Sequence, residues 1–292
     1  MHKPAIMHGN LERSFIIHVP SGHDSSVQMP LVLALHGRGT TAEGMILITR
    51  KGFNNLADRD GFLVVYPDGI ELNWNDGRMD EEANDRAHRE NIDDVGFISA
   101  LIDSMIEEYN VDPKRVYVTG ISNGALMAYR LACELSYKIT AIAPVDGNMP
   151  YLLLSECSPT DPVSVLAINN VNDPLVPFEG GMVISNFRKI KLGKVLSADE
   201  SIEFWVKHNQ CSPEPVVTIE PDRDPADGTQ VTRKEYLNGI KGTEVVLYVI
   251  YGGGHTWPGG LQYLPAWKIG KTSREIDANE VIWSFFKRHL RQ

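Results

Sequence analysis

A serine within a Gly-x-Ser-x-Gly pattern is the first candidate for chemistry in this sequence. The letters GISNG at residues 120–124 place Ser122 between two glycines. Such a pattern marks the sharp turn that carries a nucleophilic serine when an apolar strand precedes it and a helix follows it. Residues 115–119 have the pattern of a strand and residues 123–135 that of a helix. The setting therefore favours a nucleophile at Ser122 over an ordinary glycine-rich turn.

A serine hydroxyl needs a base to remove its proton, and His255 is the histidine best placed to do so. Three histidines lie beyond the later predicted strands, namely His208, His255 and His289. His208 and His289 fall within predicted helices, where a solvated or packed histidine is expected. His255 follows the predicted strand at residues 245–250 and lies in the segment GGGHTWPGG. We therefore predict His255 as the general base.

The imidazole of a serine hydrolase needs a carboxylate that fixes its tautomer and stabilises its cation. Asp173 follows the predicted strand at residues 163–168 and lies between the serine and the histidine in the chain, which is the order this chemistry uses in α/β folds. Asp146 follows the preceding strand and is the alternative acid. Asp161 precedes its strand, so it belongs to the opposite end of the sheet. Asp173 is the predicted acid, with Asp146 left open.

An ester carbonyl oxygen develops negative charge during acyl transfer, and backbone N–H groups must face that oxygen. One donor is expected from Asn123, the residue after the nucleophile, at the positive end of its helix. A second is expected from the loop LHGRG at residues 35–39, which follows an apolar predicted strand at residues 31–35. Within that loop we predict the N–H of Arg38, with Gly37 as the alternative. A plain tight turn is the competing interpretation.

The elements that must position these groups alternate between short apolar strands and amphipathic helices. This alternation predicts an α/β fold with a mostly parallel central sheet and helices on both faces. One helix is predicted at residues 42–57 and another at 95–109, with Asp94 as the N-cap of the second. The segment 175–243 interrupts the alternation. We interpret it as an insertion within one domain that spans residues 1–292.

Several segments together resemble a known family of esterases. They are LALHGRG (residues 33–39), WNDGR (74–78), DDVGF (93–97), GISNG (120–124) and GGGHTWPGG (252–260). In these segments the chain is similar to the α/β-hydrolase esterases of the polyhydroxybutyrate depolymerase and feruloyl esterase family, over residues 13–260. The resemblance implies the α/β-hydrolase fold, a serine esterase activity, and Ser122, Asp173 and His255 as the catalytic triad.

Three features depart from the pattern of that family. Relatives often have a His-Gly pair where this chain has Asn169 and Asn170, and a cysteine where Arg38 stands. Secreted relatives often pair a cysteine matching Cys211 with one near residue 239 or 240, and this chain has no cysteine there. The resemblance therefore leaves the geometry of the acid loop and the state of Cys211 to the structure.

Aromatic side chains are concentrated on the loops expected around the site. Trp74, Phe178 and Trp257 are predicted to contact the substrate, and Tyr263 and Trp267 lie on similar loops. Flat aromatic faces stack on planar acyl groups and on the apolar faces of sugars. Core packing is the competing interpretation for each of these residues.

The overall composition limits the partners of the protein. The chain has 292 residues and a net charge of −10, which disfavours nucleic acid and anionic membrane surfaces as partners. Its three cysteines are too few for a disulfide framework, leave at least one free thiol and have no CxxC spacing, so no zinc site is expected. Residues 1–12 lack the apolar core of a signal peptide. A cytoplasmic protein and a secreted protein with its signal removed both stay open.

The sequence predicts a serine carboxylic-ester hydrolase that works through an acyl-enzyme and needs no metal or organic cofactor. Feruloyl or related plant-polysaccharide esters are the predicted substrates, and polyhydroxybutyrate-type polymers or oligomers are the alternative. A catalytically silent binder of polysaccharide or polyester is the non-enzymatic alternative, because a fold does not fix a function. The sequence does not predict an oligomeric state.

Overall fold

A computed structural model describes residues 3–78, 85–185 and 190–292 of the chain. The strands in these residues are Ala5–His8 (β1), Leu11–His18 (β2), Met29–Leu35 (β3), Leu63–Pro67 (β4), Val111–Ile121 (β5), Ala141–Val145 (β6), Ser164–Asn170 (β7), Gly181–Ile184 (β8), Lys191–Val195 (β9), Val216–Ile219 (β10), Gln230–Tyr236 (β11) and Val245–Tyr251 (β12).

The α-helices in the same residues are Ala42–Ile48 (α1), Gly52–Asp60 (α2), Arg86–Arg89 (α3), Asp94–Tyr109 (α4), Asn123–Glu134 (α5), Leu153–Glu156 (α6), Ala198–His208 (α7), Ala266–Ile269 (α8) and Ala278–Phe286 (α9). A short 3-10 helix covers Ile240–Gly242. Within the described ranges, the helices are too short or too polar to cross a membrane.

Ten of the strands form one sheet, in the order β1-β2-β4-β3-β5-β6-β7-β12-β11-β10. The central strands β4, β3, β5, β6, β7 and β12 run parallel, and the strands beyond them on either side join by antiparallel pairing. The predicted mostly parallel sheet is therefore confirmed. Because parallel strands end at the same edge, the segments after β5, β6, β7 and β12 meet at the carboxyl edge of the sheet.

Each face of the sheet packs against its own set of helices. Leu31 and Leu33 of β3 belong to one apolar core, whereas Val32 and Ala34 belong to the other, because successive side chains of a strand point to opposite faces. The first core includes buried residues of α4, α5 and α7, and the second includes those of α1, α2 and α9. The prediction of helices on both faces is confirmed.

The helix predicted at residues 42–57 is broken into α1 and α2. Arg50 and Lys51 have φ angles of 54° and 57°, which lie outside the range of a right-handed helix. No glycine or proline marks the break within residues 45–51, so the single helix predicted there is wrong.

The N-cap of α4 lies one residue earlier than predicted. The carboxylate of Asp93 accepts a hydrogen bond from the N–H of Gly96, and Asp94 is already the first helical residue. The carboxylate of Asp94 is instead buried, where it pairs with Arg13 at 2.5 Å and accepts a hydrogen bond from the N–H of Asn75. The buried arginine holds Asp94 inside the protein, which leaves capping to its neighbour.

The segment predicted as an insertion, residues 175–243, contributes strands to two different sheets. β8 and β9 form a separate antiparallel pair. β10 and β11 extend the main sheet beyond β12. Residues 186–189 of this segment lie outside the described residues. Part of the predicted insertion thus belongs to the central sheet itself.

A disulfide bond links Cys133, near the end of α5, to Cys157, directly after α6. Cys211 is a buried free thiol, so the expectation of at least one free cysteine is confirmed. The bond attaches the helix that follows Ser122 to the segment that follows β6. Both of these elements begin at the carboxyl edge of the sheet.

Candidate active site

Ser122 lies at the turn between β5 and α5, where the Gly-x-Ser-x-Gly pattern places it. Its φ of 56° and ψ of −123° are strained for a residue that carries a side chain. The flanking glycines permit the turn, because a Cβ atom on Gly120 would lie 2.8 Å from the carbonyl oxygen of Leu35 and one on Gly124 would lie 2.5 Å from it. The turn leaves Ser122 half-buried at the carboxyl edge of the sheet.

His255 and Asp173 form a buried pair at the same edge. His255 follows β12 and Asp173 follows β7, and these strands are neighbours in the sheet. The Nδ1 atom of His255 lies 2.6 Å from Oδ2 of Asp173, and each side chain is at most 4% exposed. Oδ1 of Asp173 accepts hydrogen bonds from the N–H groups of Leu175 and Val176 at 2.7 and 3.0 Å. Asp173 thus holds the imidazole with its proton on Nδ1, which leaves Nε2 as the basic nitrogen.

Opposing effects set the pKa of His255. Burial disfavours the charged imidazolium and lowers the pKa. The charge and hydrogen bond of Asp173 raise the pKa, and Asp146 adds a smaller effect in the same direction. The net pKa of His255 lies above the ordinary value of histidine. The site therefore stabilises the imidazolium that forms when this histidine takes a proton.

The loop after β6 connects the serine to the histidine. A Cβ atom on Gly147 would lie 3.0 Å from the carbonyl oxygen of Ser122, and the preceding residue, Asp146, accepts a hydrogen bond from the N–H of Thr256 at 2.8 Å. Thr256 directly follows His255. Within the described residues, neither Oγ of Ser122 nor Nε2 of His255 makes a hydrogen bond. Catalytic hydrogen bonds are often long before substrate binds and tighten in the complex.

Asp146, the alternative acid, lies beside this pair but makes no hydrogen bond to His255. Its oxygens accept hydrogen bonds from Asn170 and from the N–H of Thr256. One ligand atom from each of Asp146, Asp173 and His255 lies within 4.8 Å of the other two. Burial and the charge of Asp173 raise the pKa of Asp146, and the hydrogen bonds from Asn170 act against that rise. Asp173 is therefore the carboxylate in direct contact with the imidazole.

Asn123 begins α5, and the first N–H groups of a helix have no acceptor within the helix. The side chain of Asn123 is fully engaged elsewhere. Its Nδ2 donates to the carbonyl oxygen of Trp74 at 3.0 Å and to Oδ2 of Asp76 at 2.5 Å, and its Oδ1 accepts from the N–H of Trp74 at 2.8 Å. These bonds hold Asn123 in place at the start of α5. Its backbone N–H is the predicted oxyanion donor.

The loop that carries Arg38 packs directly on the serine turn. A Cβ atom on Gly37 would lie 3.4 Å from the Cβ atom of Ser122. His36 fixes the loop, because its Nε2 accepts a hydrogen bond from the N–H of Gly69 at 2.9 Å and its Nδ1–H donates to the carbonyl of Gly37 at 2.8 Å. Burial lowers the pKa of His36 and favours the neutral ring that this pattern needs. Arg38, the predicted donor, and Gly37, its alternative, thus belong to a loop held next to Ser122.

Two of the aromatic residues predicted to contact the substrate are part of the cores. Trp74 and Trp257 are fully buried, so neither indole has an exposed face on which a substrate could stack. Nε1 of Trp74 donates to the carbonyl of His36, and the ring of Trp257 packs edge-on against Phe53 at a centroid distance of 6.0 Å. Their burial corrects the predicted aromatic surface, because both rings fill the space beneath the site loops.

The other aromatic residues have different surroundings. Phe178 is half-buried against the first core. Trp267 is 81% exposed and lies on α8. The carbonyl oxygen of Ile269, at the end of that helix, accepts a hydrogen bond from the N–H of His255 at 2.6 Å. Trp267 is therefore an exposed aromatic residue on a helix that accepts a hydrogen bond from the backbone of His255.

Histidine, cysteine, aspartate and glutamate side chains can bind a metal ion when three or more lie close together. Among the described residues, one such group exists, and it consists of Asp146, Asp173 and His255. Both oxygens of each carboxylate already accept hydrogen bonds, and Nδ1 of His255 is bonded to Asp173. A cation would have to displace several of these bonds. The arrangement therefore suits proton transfer better than metal binding.

The side chain of another histidine, His88, is also buried close to the site, and no role was predicted for it. Nδ1 of His88 lies 2.8 Å from Asp85 and its Nε2 lies 3.1 Å from Asp76. Arg78 pairs with the same Asp76 at 2.7 Å. Burial opposes the charged ring, but the two carboxylates raise the pKa of His88 to about 9. Asp76 also holds the side chain of Asn123, and the segment WNDGR was the available signal for this cluster.

Comparison with known proteins places the chain among esterases. A sequence profile described as "Esterase PHB depolymerase" matches residues 13–158. The chain is 32% identical to a protein named "Putative esterase NocK" from Nocardia uniformis subsp. tsuyamanensis, over 94% of this chain and 78% of that protein. It is 26% identical to feruloyl esterase C of Emericella nidulans, over 83% of this chain and 76% of that protein.

The fold also has a counterpart among solved structures. An acetyl xylan esterase from Aspergillus awamori matches with a TM-score of 0.55 at 16% identity, over 84% of this chain and 89% of that one. This likeness confirms the predicted fold class. The sequence relatives favour an enzyme over a catalytically silent binder. The chain belongs to the Esterase PHB depolymerase family, has the α/β-hydrolase fold, and is a carboxylic ester hydrolase.

Proposed function

We propose that the protein is a serine esterase in which Ser122 is the nucleophile, His255 the general base and Asp173 the residue that orients His255. The observation that carries this proposal is the 2.6 Å hydrogen bond between Asp173 and Nδ1 of His255, at the sheet edge where Ser122 occupies a strained turn. The three residues also follow the chain order of nucleophile, acid and base that α/β-hydrolases use.

The proposed reaction begins when Oγ of Ser122 attacks the ester carbonyl carbon and Nε2 of His255 takes the hydroxyl proton. The tetrahedral intermediate carries negative charge on the former carbonyl oxygen. The N–H of Asn123 and that of Arg38 or Gly37 stabilise this oxyanion. His255 then donates its proton to the leaving alcohol, which leaves an acyl group on Ser122. A water molecule activated by the same imidazole releases the acid and restores the serine.

For the substrate, we propose esters of feruloyl or related groups on plant polysaccharides. One relative is named a feruloyl esterase. The exposed indole of Trp267, on a helix bonded to His255, supports the proposal because aromatic faces stack on planar acyl groups and on sugar rings. Oligomers of hydroxybutyrate are the second candidate substrate, and the mention of PHB depolymerase in the description of the family supports that candidate.

A burst experiment tests the acyl-enzyme. Rapid mixing with p-nitrophenyl acetate should release about one equivalent of p-nitrophenol per active site before the steady state, because we expect deacylation to be slower than acylation for this activated ester. Mass spectrometry of the quenched sample should find an acetyl group on the peptide that contains Ser122. An acetyl group on a different residue, or turnover that survives in Ser122→Ala, would contradict the mechanism.

A comparison of rates tests the substrate. The values of kcat/KM should be measured side by side for methyl ferulate, an acetylated xylan, a hydroxybutyrate trimer and a methyl ester of a long alkyl acid. We expect methyl ferulate or the acetylated xylan to give the largest value. A largest value for the trimer would replace the first substrate class by the second, and a largest value for the alkyl ester would exclude both.

A further inference from the structure

The mechanism above leaves one buried carboxylate beside the base without a role. Asp146 directly follows β6 and is 1% exposed. It is not the acid of the proposed triad, because Nδ1 of His255 is bonded to Asp173. Two buried carboxylates close together repel each other, and burial disfavours the charge on each. A site that keeps both of them needs a physical reason.

The oxygens of Asp146 join three segments at the carboxyl edge of the sheet. Oδ1 accepts hydrogen bonds from the N–H of Asn170 at 3.1 Å and from its side-chain amide at 2.8 Å. Oδ2 accepts one from the N–H of Thr256 at 2.8 Å. Asn170 is the last residue of β7, and Thr256 follows His255. A single carboxylate therefore connects the loop after β6 to the strand of the acid and to the loop of the histidine.

The contacts of Asp146 favour its ionised form. All three are N–H donors, and a protonated oxygen would have to give up at least one of them. Burial and the charge of Asp173 act in the opposite direction and raise the pKa of Asp146. The ionisation of Asp146 is thereby brought toward the pH range in which His255 titrates, so the two groups form a coupled system.

We propose that Asp146 is a positioning residue for His255. Its carboxyl group fixes the backbone at Thr256 to the end of β7 and places a second titratable acid within 4.8 Å of the imidazole. This inference rests on the proposed function, since it takes His255 as the base. Its consequence is that the pH at which the base loses its proton depends on two carboxylates instead of one.

Two further titratable groups face His255 among the described residues. Asp173 contacts the ring from the loop after β7. The hydroxyl of Tyr263 donates to the carbonyl oxygen of His255 at 2.9 Å, and burial raises the pKa of Tyr263 far above the range in which the imidazole titrates. Among these groups, Asp173 is the other one that could change the pKa of His255. Asp173 stays unchanged in the variants below, so a shift in the titration of His255 can be attributed to Asp146.

The first test is the pH dependence of kcat/KM for p-nitrophenyl acetate in the wild type and in Asp146→Asn. The substitution keeps the size of the side chain and removes its charge. We expect the acidic limb of the profile, which reports the free enzyme, to move to lower pH by about 1 unit. A lower plateau with an unmoved limb is the result of a merely structural role, and it would overturn the proposal.

A second variant and a control accompany this test. Asn170→Ala removes one of the three donors and leaves the carboxylate in place, so we expect a smaller shift of the limb in the same direction. If Asp146→Asn does not fold, an unmoved limb in Asn170→Ala overturns the proposal. Asp161→Asn removes a carboxylate that precedes β7 and pairs with Lys241 at 3.1 Å. That control should leave the limb where it is in the wild type.

A titration without turnover separates this proposal from the proposed function. The ring nitrogens of His255 can be followed by NMR with ¹⁵N-labelled histidine in Ser122→Ala and in Ser122→Ala combined with Asp146→Asn. A lower pKa of His255 in the double variant supports the role of Asp146, and an unchanged pKa overturns it. Retained ester hydrolysis by Ser122→Ala would instead overturn the proposed function, and the NMR comparison would still decide the role of Asp146.

Discussion

Two buried histidines of this protein are each accompanied by two aspartates, but they use their ring nitrogens differently. Both nitrogens of His88 lie within hydrogen-bond distance of an aspartate. Only Nδ1 of His255 does, with Asp173 as its partner. The second aspartate near His255, Asp146, bonds to backbone and amide N–H groups instead.

The electrostatic surroundings of the two rings differ in the same sense. Burial opposes the charge of His88, but its two carboxylates raise the pKa to about 9, so the ring is a cation at neutral pH. Asp76 is shared with Arg78, whose charge helps to hold the pKa of Asp76 well below its usual range despite burial. This cluster balances its charges internally. A histidine bonded at both nitrogens becomes a structural cation, whereas one bonded at Nδ1 alone can exchange a proton at Nε2.

The largest expected difference between the two histidines concerns turnover. Ser122→Ala and His255→Ala should each lower kcat by up to about 10⁶-fold, because a nucleophile and its base act as a unit. His88→Gln should lower kcat far less, since no reacting atom contacts it. The measurement is kcat for p-nitrophenyl acetate, with circular dichroism to show that each variant is folded. Equal losses in His88→Gln and His255→Ala would break the comparison.

The aspartates should differ next. Asp173→Asn should lower kcat by about 10⁴-fold, because an amide at this position favours the wrong tautomer of His255. Asp85→Asn, the matched change beside His88, should have a much smaller effect on kcat. The same ester assay measures both. A larger loss in Asp85→Asn than in Asp173→Asn would show that the structural cluster, and not the proposed acid, limits catalysis.

The buried cluster around His88 should contribute more to the stability of the fold than a more exposed ion pair. Asp76→Asn removes the carboxylate shared by Arg78 and His88, and a buried charge left without its partner lowers the free energy of unfolding by about 3–5 kcal/mol. Asp161→Asn, which breaks a more exposed pair, should lower it by about 0–1 kcal/mol. Urea denaturation measures both values. An Asp76→Asn variant as stable as Asp161→Asn would show that the cluster around His88 does not stabilise the fold.

The stability of the protein should also depend on pH through His88. Its pKa in the folded protein is about 9, above the value of 6.5 that an unperturbed histidine has. The stabilisation from the charged ring is therefore fully present below about pH 6.5 and is lost as the pH rises through about 9. We expect the free energy of unfolding to fall across this window, and to fall less in His88→Gln. Identical pH profiles for the two proteins would contradict the assignment of His88 as a buried cation.

The smallest expected effect concerns the surface beside His255. Trp267→Ala should lower kcat/KM for methyl ferulate by about 2- to 10-fold, which corresponds to a stacking energy of about 0.5–1.5 kcal/mol. Its effect on p-nitrophenyl acetate should be smaller. Trp257→Ala is the matched control, because that indole is buried and its loss should lower stability by about 3–5 kcal/mol. Equal effects of Trp267→Ala on both esters would exclude a stacking role.

Local patterns in the sequence were enough to predict the parallel sheet and the candidate site. Ser122 follows a strand and begins a helix, so its turn could be recognised from neighbouring residues. Asp173 and His255 lie after predicted strands, and a parallel sheet brings such ends to one edge. The hydrogen bond between them in the structure agrees with that reasoning. The roles assigned to all three residues stay predictions until they are tested by substitution.

The features that the sequence did not reveal depend on contacts between distant segments. Trp257 is buried because Phe53, far away in the chain, packs against it. The disulfide forms because α5 and α6 bring Cys133 and Cys157 together. The break between α1 and α2 occurs at Arg50 and Lys51, which have no local tendency toward a positive φ. Neither these contacts nor the helix break could be predicted from a short window of sequence.

The positive φ of Ser122 has a consequence for the stability of the protein. A residue with a side chain in such a conformation lowers the stability of the folded state by about 1–3 kcal/mol. Folded domains are typically stable by only about 5–15 kcal/mol, so this single position removes a noticeable share of the total. Glycine at residue 122 would relieve the strain but would also remove the hydroxyl. A variant of this protein that keeps the hydroxyl and is selected for resistance to heat must therefore gain that resistance at other positions.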